Sequence, residues 1–218
     1  MATDKVLEEL KAGILEFQTR IYPALKDTYQ QAVLSPQKPH TLVITCADSR
    51  IDAESITQSG PGELFITRNI GNMVPAYGEM LGGVSAVIEY AVSALKVQHV
   101  VVCGHTDCGA MKALVQPESL ATMPTVSSWL KNAAAALSIT SSLATKDEQP
   151  SGFMHRLTEQ NVLLQLRHLE THPSVAGALA RNELTLSGWV YDIGTGDVRI
   201  SEAGNREFHT VASGAASK

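Results

Sequence analysis

The sequence predicts an α/β fold: a mainly parallel central β-sheet flanked by helices, with an N-terminal helical arm and a C-terminal antiparallel strand or hairpin. Three observations carry this. The runs Leu42 to Thr45, Leu64 to Thr67 and Val100 to Cys103 are apolar or β-branched without polar alternation, the mark of strands covered on both faces. Between the second and third runs, apolar residues from Val84 to Leu95 recur at helical intervals, giving the strand, helix, strand order of right-handed parallel crossovers. Two of the runs deliver chemistry-bearing residues, Cys46 and His105, at their carboxyl ends, where open parallel sheets gather ligands.

Taken in order, residues 3–33 set Val6, Leu10, Ile14, Phe17 and Ile21 on one helical stripe, interrupted at Pro23. This reads as a packing or dimer-clasping arm over 1–35, followed by an α/β core over 40–200 and a tail over 201–218, all in one domain. Ser35, Pro36, Lys38 and Pro39 break the chain before a first strand, Thr41 to Cys46. Gly60-Pro61-Gly62 turns into a second strand, Glu63 to Arg68, and Asn69 to Pro75 reads as loop. Because Val84 to Leu95 is apolar on more than one face, a largely buried helix is expected there. It feeds the third strand, after which Gly104 and Gly109 are expected to bracket a tight turn. Val126 to Ile139 and Glu148 to Glu170 read as helices joined by a Ser/Thr-rich link ending at Pro150, with Pro173 ending the second. Glu183 to Ile193 reads as a strand, and Gly194-Thr195-Gly196 as a hairpin turn into Asp197 to Ile200. Ala212 to Lys218 is small and polar and is expected to fray.

A chain of 218 residues that is 44% hydrophobic can bury one substantial core. Its net charge of −5, with no cluster of Lys and Arg, argues against nucleic acid or an anionic membrane surface and leaves a small neutral or anionic metabolite. Met1 to Glu9 alternates charges without an apolar signal core, and no stretch approaches the roughly 20 apolar residues of a membrane span, so a cytoplasmic location is expected. Three cysteines make no disulfide framework.

The chemistry starts from His105 and Cys108. In His-x-x-Cys spacing the two side chains converge if the turn opens a helix, and imidazole with thiolate suits zinc. Cys46 is the candidate third ligand. Together they fall one short of a structural tetrahedral set, and an open fourth position means a catalytic metal. Either fragment alone reads equally well as ordinary core residues; it is their shared place at strand ends, beside charges costly to bury unpartnered, that favours a site. Asp48 and Arg50 alternate after the first strand and can form a bidentate bridge. Beside a metal, the carboxylate could orient the attacking oxygen while Arg50 holds it off the ion; elsewhere the pair would merely fix a loop. Cys103 reads as a buried apolar residue, and His99, His155, His168, His172 and His209 as surface or helix-end residues. Neither G-x-G-x-x-G nor a phosphate loop is present.

These residues resemble the β-class carbonic anhydrases, in the plant-like and bacterial branch. Cys46-Ala47-Asp48-Ser49-Arg50-Ile51 is similar to the first family signature, and Glu89-Tyr90-Ala91 through Gly104-His105-Thr106-Asp107-Cys108-Gly109 to the second. The likeness includes Pro61 to Phe65, Arg68-Asn69, Thr171 to Val175 and Gly188 to Asp192, and omits the ends and the region from Gln116 to Gln149. It implies one zinc per subunit on Cys46, His105 and Cys108, an Asp48/Arg50 catalytic dyad, and a homodimer, often further assembled, with its site in a cleft between subunits. It also implies that Gln37, Phe65 and Tyr90 bind substrate: Gln37 by a hydrogen bond, Phe65 and Tyr90 as walls of a small apolar pocket. Core packing is the alternative, above all for Tyr90. The implied reaction is reversible hydration of carbon dioxide to bicarbonate and a proton by zinc-activated hydroxide, faster toward alkaline pH. Family members whose Asp swings onto zinc carry Trp three residues before the first Cys; here Val43 stands there, so Asp48 is expected to be a metal ligand in a closed form only and the open form to be the resting one. The alternatives are hydrolysis of carbon disulfide or carbonyl sulfide on the same zinc, or a zinc or thiol-redox module without turnover.

Overall fold

In the computed structural model, which describes residues 2–79, 82–202 and 205–211, the chain divides into two compact units, Met1–Lys38 and Pro39–Lys218. The expected frayed end, Ala212 to Lys218, lies outside the described residues.

The first unit is helical: α1 (Ala2–Glu16), a π-helical turn (Phe17–Ile21) and α2 (Tyr22–Leu34). Pro23 therefore does not end the helix. It sits in the first turn of α2, where its missing N–H is tolerated, and the wider π turn directly precedes it.

The second unit is built on a sheet of six described strands: β1 (Thr41–Cys46), β2 (Leu64–Asn69), β3 (His99–His105), β4 (Thr185–Tyr191), β5 (Val198–Glu202) and β6 (His209–Thr210), in the order β2-β1-β3-β4-β5-β6. β1 pairs in parallel with both β2 and β3, and β3 with β4; β5 and β6 are antiparallel. The predicted mixed architecture is thus observed, and β5 and β6 extend strand structure past residue 200. β2 continues through Asn69 and β3 through His105, so His105 closes the strand itself.

The helices are α3 (Ala53–Thr57), α4 (Gly83–Glu89), α5 (Gly109–Val115), α6 (Pro124–Trp129), α7 (Ala134–Ser142), α8 (Pro150–Glu170) and α9 (Pro173–Ala180). Leu42, Ile44, Val100 and Val102 turn one sheet face into a core shared with Ile88, Val162, Leu169 and Val175. On the opposite face, Val43, Val101 and Cys103 pack with Ala53, Ile66 and Trp189.

Two further expectations are corrected. The helix from Gly83 passes into a π turn at Tyr90–Ala94 and is only half buried: Ile88, Ala91 and Val92 face the core, while Tyr90 is 50% exposed. Nor does Gly104 form a turn. It lies within β3, where a side chain would collide with α8, whereas the turn uses Asp107 in the left-handed region at φ 59°.

Candidate metal centre

Adjacency of β1 and β3 is what assembles the site. Their parallel register runs from Thr41–His99 to Thr45–Cys103, so both strands deliver their last residues, Cys46 and His105, to the same carboxyl edge. The chain then turns through Thr106 and Asp107 and enters α5 with Cys108 at its N-cap. The turn is tied to β4, as the Thr106 amide donates to the Tyr191 carbonyl at 2.9 Å and the Ile193 amide to Thr106 Oγ1 at 3.1 Å.

The three predicted ligands converge. Their donor atoms lie within 4.8 Å of one another, the two sulfurs 4.0 Å apart, and all three residues are buried. His105 Nδ1–H can donate to the Thr106 carbonyl at 2.8 Å, which turns the Nε2 lone pair toward the sulfurs. That Nε2 is a buried atom with no hydrogen-bond partner, an arrangement costly for a plain core histidine and ordinary for a metal ligand. The sulfurs are interdependent: the Cys108 S–H eases ionisation of Cys46, while the nearby Cys46 sulfur and burial push the Cys108 thiol up. Protein groups alone favour a single thiolate here, and a divalent cation makes two favourable. Two thiolates and an imidazole nitrogen fit zinc.

Asp48 and Arg50 form the expected bridge, with Arg50 Nε on Oδ1 at 2.9 Å and a terminal nitrogen on Oδ2 at 2.8 Å. Arg50 also reaches Asp107 Oδ2 at 2.8 Å, and Lys112 pairs with the other Asp107 oxygen. The Arg50 guanidinium holds the Asp48 carboxyl well below the usual carboxylate range. Oδ2 of Asp48 stands 3.9 Å from His105 Nε2, beside the ligands but outside their cluster. The loop carrying Asp48 is fixed by Arg68, which donates to the carbonyls of Cys46 at 3.0 Å and Asp48 at 2.6 Å. A cavity of about 480 Å³ borders the centre at Arg50, Asp107 and Cys108.

Phe65 and Tyr90 meet, their ring centroids 6.0 Å apart. Gln37 belongs to the first unit, in the non-helical stretch after α2. Cys103 is buried as expected, and desolvation pushes its thiol up to about 12, far from a reactive thiolate at neutral pH.

Sequence reasoning missed the support behind Cys46. The segment Ile70 to Pro75 is irregular and largely buried, and side chains cap five of its carbonyls. Trp129 Nε1 donates to Ile70 at 2.8 Å, Asn161 to Gly71 at 3.1 Å, Asn69 to Met73 at 2.9 Å, His168 to Val74 at 2.8 Å and His172 to Pro75 at 3.0 Å. His172 is accordingly not a surface residue: it caps α9 but is only 2% exposed. The usable signal was the polar series Asn161, Gln165 and His168, set at helical spacing among the apolar residues of α8.

Comparison with known proteins places this geometry among relatives. A family model described as carbonic anhydrase matches residues 41–198. The carbonic anhydrase of Pseudomonas aeruginosa is 43% identical over 206 residues, covering 94% of this chain and 92% of that protein. The solved structure of the beta-carbonic anhydrase CcaA is similar with a TM-score of 0.90 at 35% identity, covering 96% of this chain and 93% of that one. One from Sordaria macrospora, described as tetrameric, has a TM-score of 0.67 at 28% identity, with 97% and 98% covered.

Proposed function

The chain belongs to the β-carbonic anhydrase family, a family of zinc enzymes that hydrate carbon dioxide reversibly, and from that premise we propose how its residues divide the work. Cys46, His105 and Cys108 hold the zinc; the carrying observation is the convergence of two buried sulfurs and an unpartnered imidazole nitrogen. Zinc bound there would supply the Lewis acid that lowers the pKa of water, so that hydroxide is available near neutral pH to attack carbon dioxide.

The chain's own groups do the rest. Asp48, ionised throughout the working range, accepts a hydrogen bond from the attacking hydroxide and so aims an oxygen lone pair at the carbon. Arg50 keeps both carboxylate oxygens occupied, which supports the open form at rest, with Val43 in place of Trp pointing the same way. Phe65 and Tyr90 supply an apolar wall for an uncharged linear substrate; Gln37 enters as a donor to substrate on the resemblance of the sequence alone. That the relatives compared are carbonic anhydrases sets carbon dioxide ahead of carbon disulfide and carbonyl sulfide.

We also propose that the enzyme is a cytoplasmic homodimer, with further assembly open to it. Apolar residues left exposed along the first unit, among them Val6, Leu10 and Ile14, support self-association, as does the tetrameric relative. No described helix is long and apolar enough to cross a membrane.

The test is stopped-flow hydration of carbon dioxide by wild type and Asp48→Ala, with zinc content measured in both. A rate lost at full zinc occupancy supports the dyad, and equal rates refute it.

A further inference from the structure

We propose that Arg68 is a positioning residue for Asp48: its guanidinium spans the carbonyls of Cys46 and Asp48 and so fixes where the carboxylate stands relative to the first zinc ligand. The proposal rests on the reading of Asp48 as the group that aims the attacking hydroxide.

The bridge between Asp48 and Arg50 cannot do this alone. The two residues ride on one loop, two positions apart, and the Arg50 backbone amide joins its own side chain on the same carboxylate, 3.0 Å from Oδ1. These bonds hold the Asp48 side chain in one rotamer, but they travel with the loop. Arg50 does reach outward to Asp107. That link joins two side chains that are 44% and 51% exposed, the kind of pair that water screens and that restrains little.

Arg68 comes from outside the loop. It is the last residue but one of β2 and stands in register with Thr45 of β1, so its backbone is fixed by the sheet. The Ala47 amide extends that strand pairing by one bond, to the Asn69 carbonyl at 2.8 Å. Beyond it the side chain of Arg68 takes over, with Nε donating to the Cys46 carbonyl at 3.0 Å and a terminal nitrogen to the Asp48 carbonyl at 2.6 Å. A guanidinium is a rigid planar fork, so two bonds made by one group fix their acceptors relative to each other. One acceptor belongs to a zinc ligand and the other to the residue that aims the hydroxide. The Ile51 amide, also on the Asp48 carbonyl at 3.1 Å, closes the turn behind them. Aim is what such a fork protects, because a misplacement of about 1 Å at a reacting centre can cost on the order of 100-fold in rate.

Arg68→Lys keeps the charge and loses the fork. It is made in wild type and in Asp48→Ala, with zinc content measured in all four proteins. In wild type kcat should fall on the order of 10-fold with KM unchanged, since Arg68 acts on aim and not on substrate binding. In Asp48→Ala the same change should alter kcat by less than about 2-fold, because no carboxylate is left to position. Deuterium uptake read by mass spectrometry should be on the order of 10-fold faster across residues 47–51 in Arg68→Lys, and unchanged in β3. A loss of equal size in both backgrounds would make Arg68 a general structural residue and overturn the proposal, as would wild-type kcat or wild-type uptake in the loop; each leaves the reading of Asp48 standing. Should Asp48→Ala with full zinc hydrate carbon dioxide at the wild-type rate, the reading of Asp48 fails and takes the proposal with it.

Discussion

Val162 of α8 sits against bare backbone at Gly104 of β3: a Cβ on Gly104 would lie 2.8 Å from Val162 Cγ2, and one on Gly188 of the neighbouring β4 would lie 2.6 Å from Cγ1. The helix seats on the sheet there because two adjacent strands carry no side chain, one residue before the metal-binding His105.

Gly104→Ala should therefore destabilise the protein by about 1–3 kcal/mol through overpacking. In a Val162→Ala background the same change should cost less, because the methyl it meets is gone. Denaturant unfolding of the four proteins measures this. Costs that are equal in the two backgrounds would mean that the contact does not limit how α8 packs.

Arg50→Gln removes the two-point grip on Asp48 and the link to Asp107. The expected loss in carbon dioxide hydration is on the order of 10–100-fold, the usual effect of losing an outer partner at a metal site. Zinc content should stay full at neutral pH, since Arg50 supplies no ligand. A rate near wild type would show that the carboxylate needs no guanidinium to stay in place.

Removing the metal should abolish activity and expose an energetic fault in the apo-protein, which retains two buried sulfurs and an unpartnered imidazole. Dialysis against a chelator is expected to lower the melting temperature, and added zinc to restore both properties. Cys46→Ser and Cys108→Ser should each fail to recover on adding zinc. Full activity after verified metal loss would sink the assignment.

His172 governs an acid-sensitive part of stability. Burial, with the charge of nearby His168, lowers its pKa below the ordinary value. Below that ordinary value, near 6.5, the unfolded chain takes up a proton that the folded protein resists, so unfolding is favoured as pH falls. Stability should decline from pH 7.5 to 5.5, and less steeply in His172→Asn. Parallel declines in melting temperature would contradict this.

Most of the site could be read before any coordinates. Cys46, Asp48, Arg50, His105 and Cys108 lie within a few residues of strand ends that announce themselves by unbroken apolar runs, and a ligand's side-chain chemistry does not depend on the fold. The parallel sheet followed from the same runs. The burial of the helix carrying Tyr90 and the place of Gly104 were misread for a common reason: apolar periodicity and glycine each have several uses, and only the neighbour across the gap selects one.

By itself, then, the sequence determined the candidate ligand set, the Asp48–Arg50 pair proposed as its dyad and the class of fold, because these rest on residue type and short spacing. Tertiary structure decided that β1 and β3 are neighbours, so that Cys46 and Cys108, 62 positions apart, come to 4.0 Å. It also decided which groups stand behind the ligands. Trp129 and Asn161 reach the Ile70 to Gly71 backbone across 59 and 90 positions. A hydrogen bond to a carbonyl carries no signature in the sequence of its acceptor, since every residue has one. Which carbonyl a tryptophan or an asparagine will cap is settled only when packing brings the two segments together.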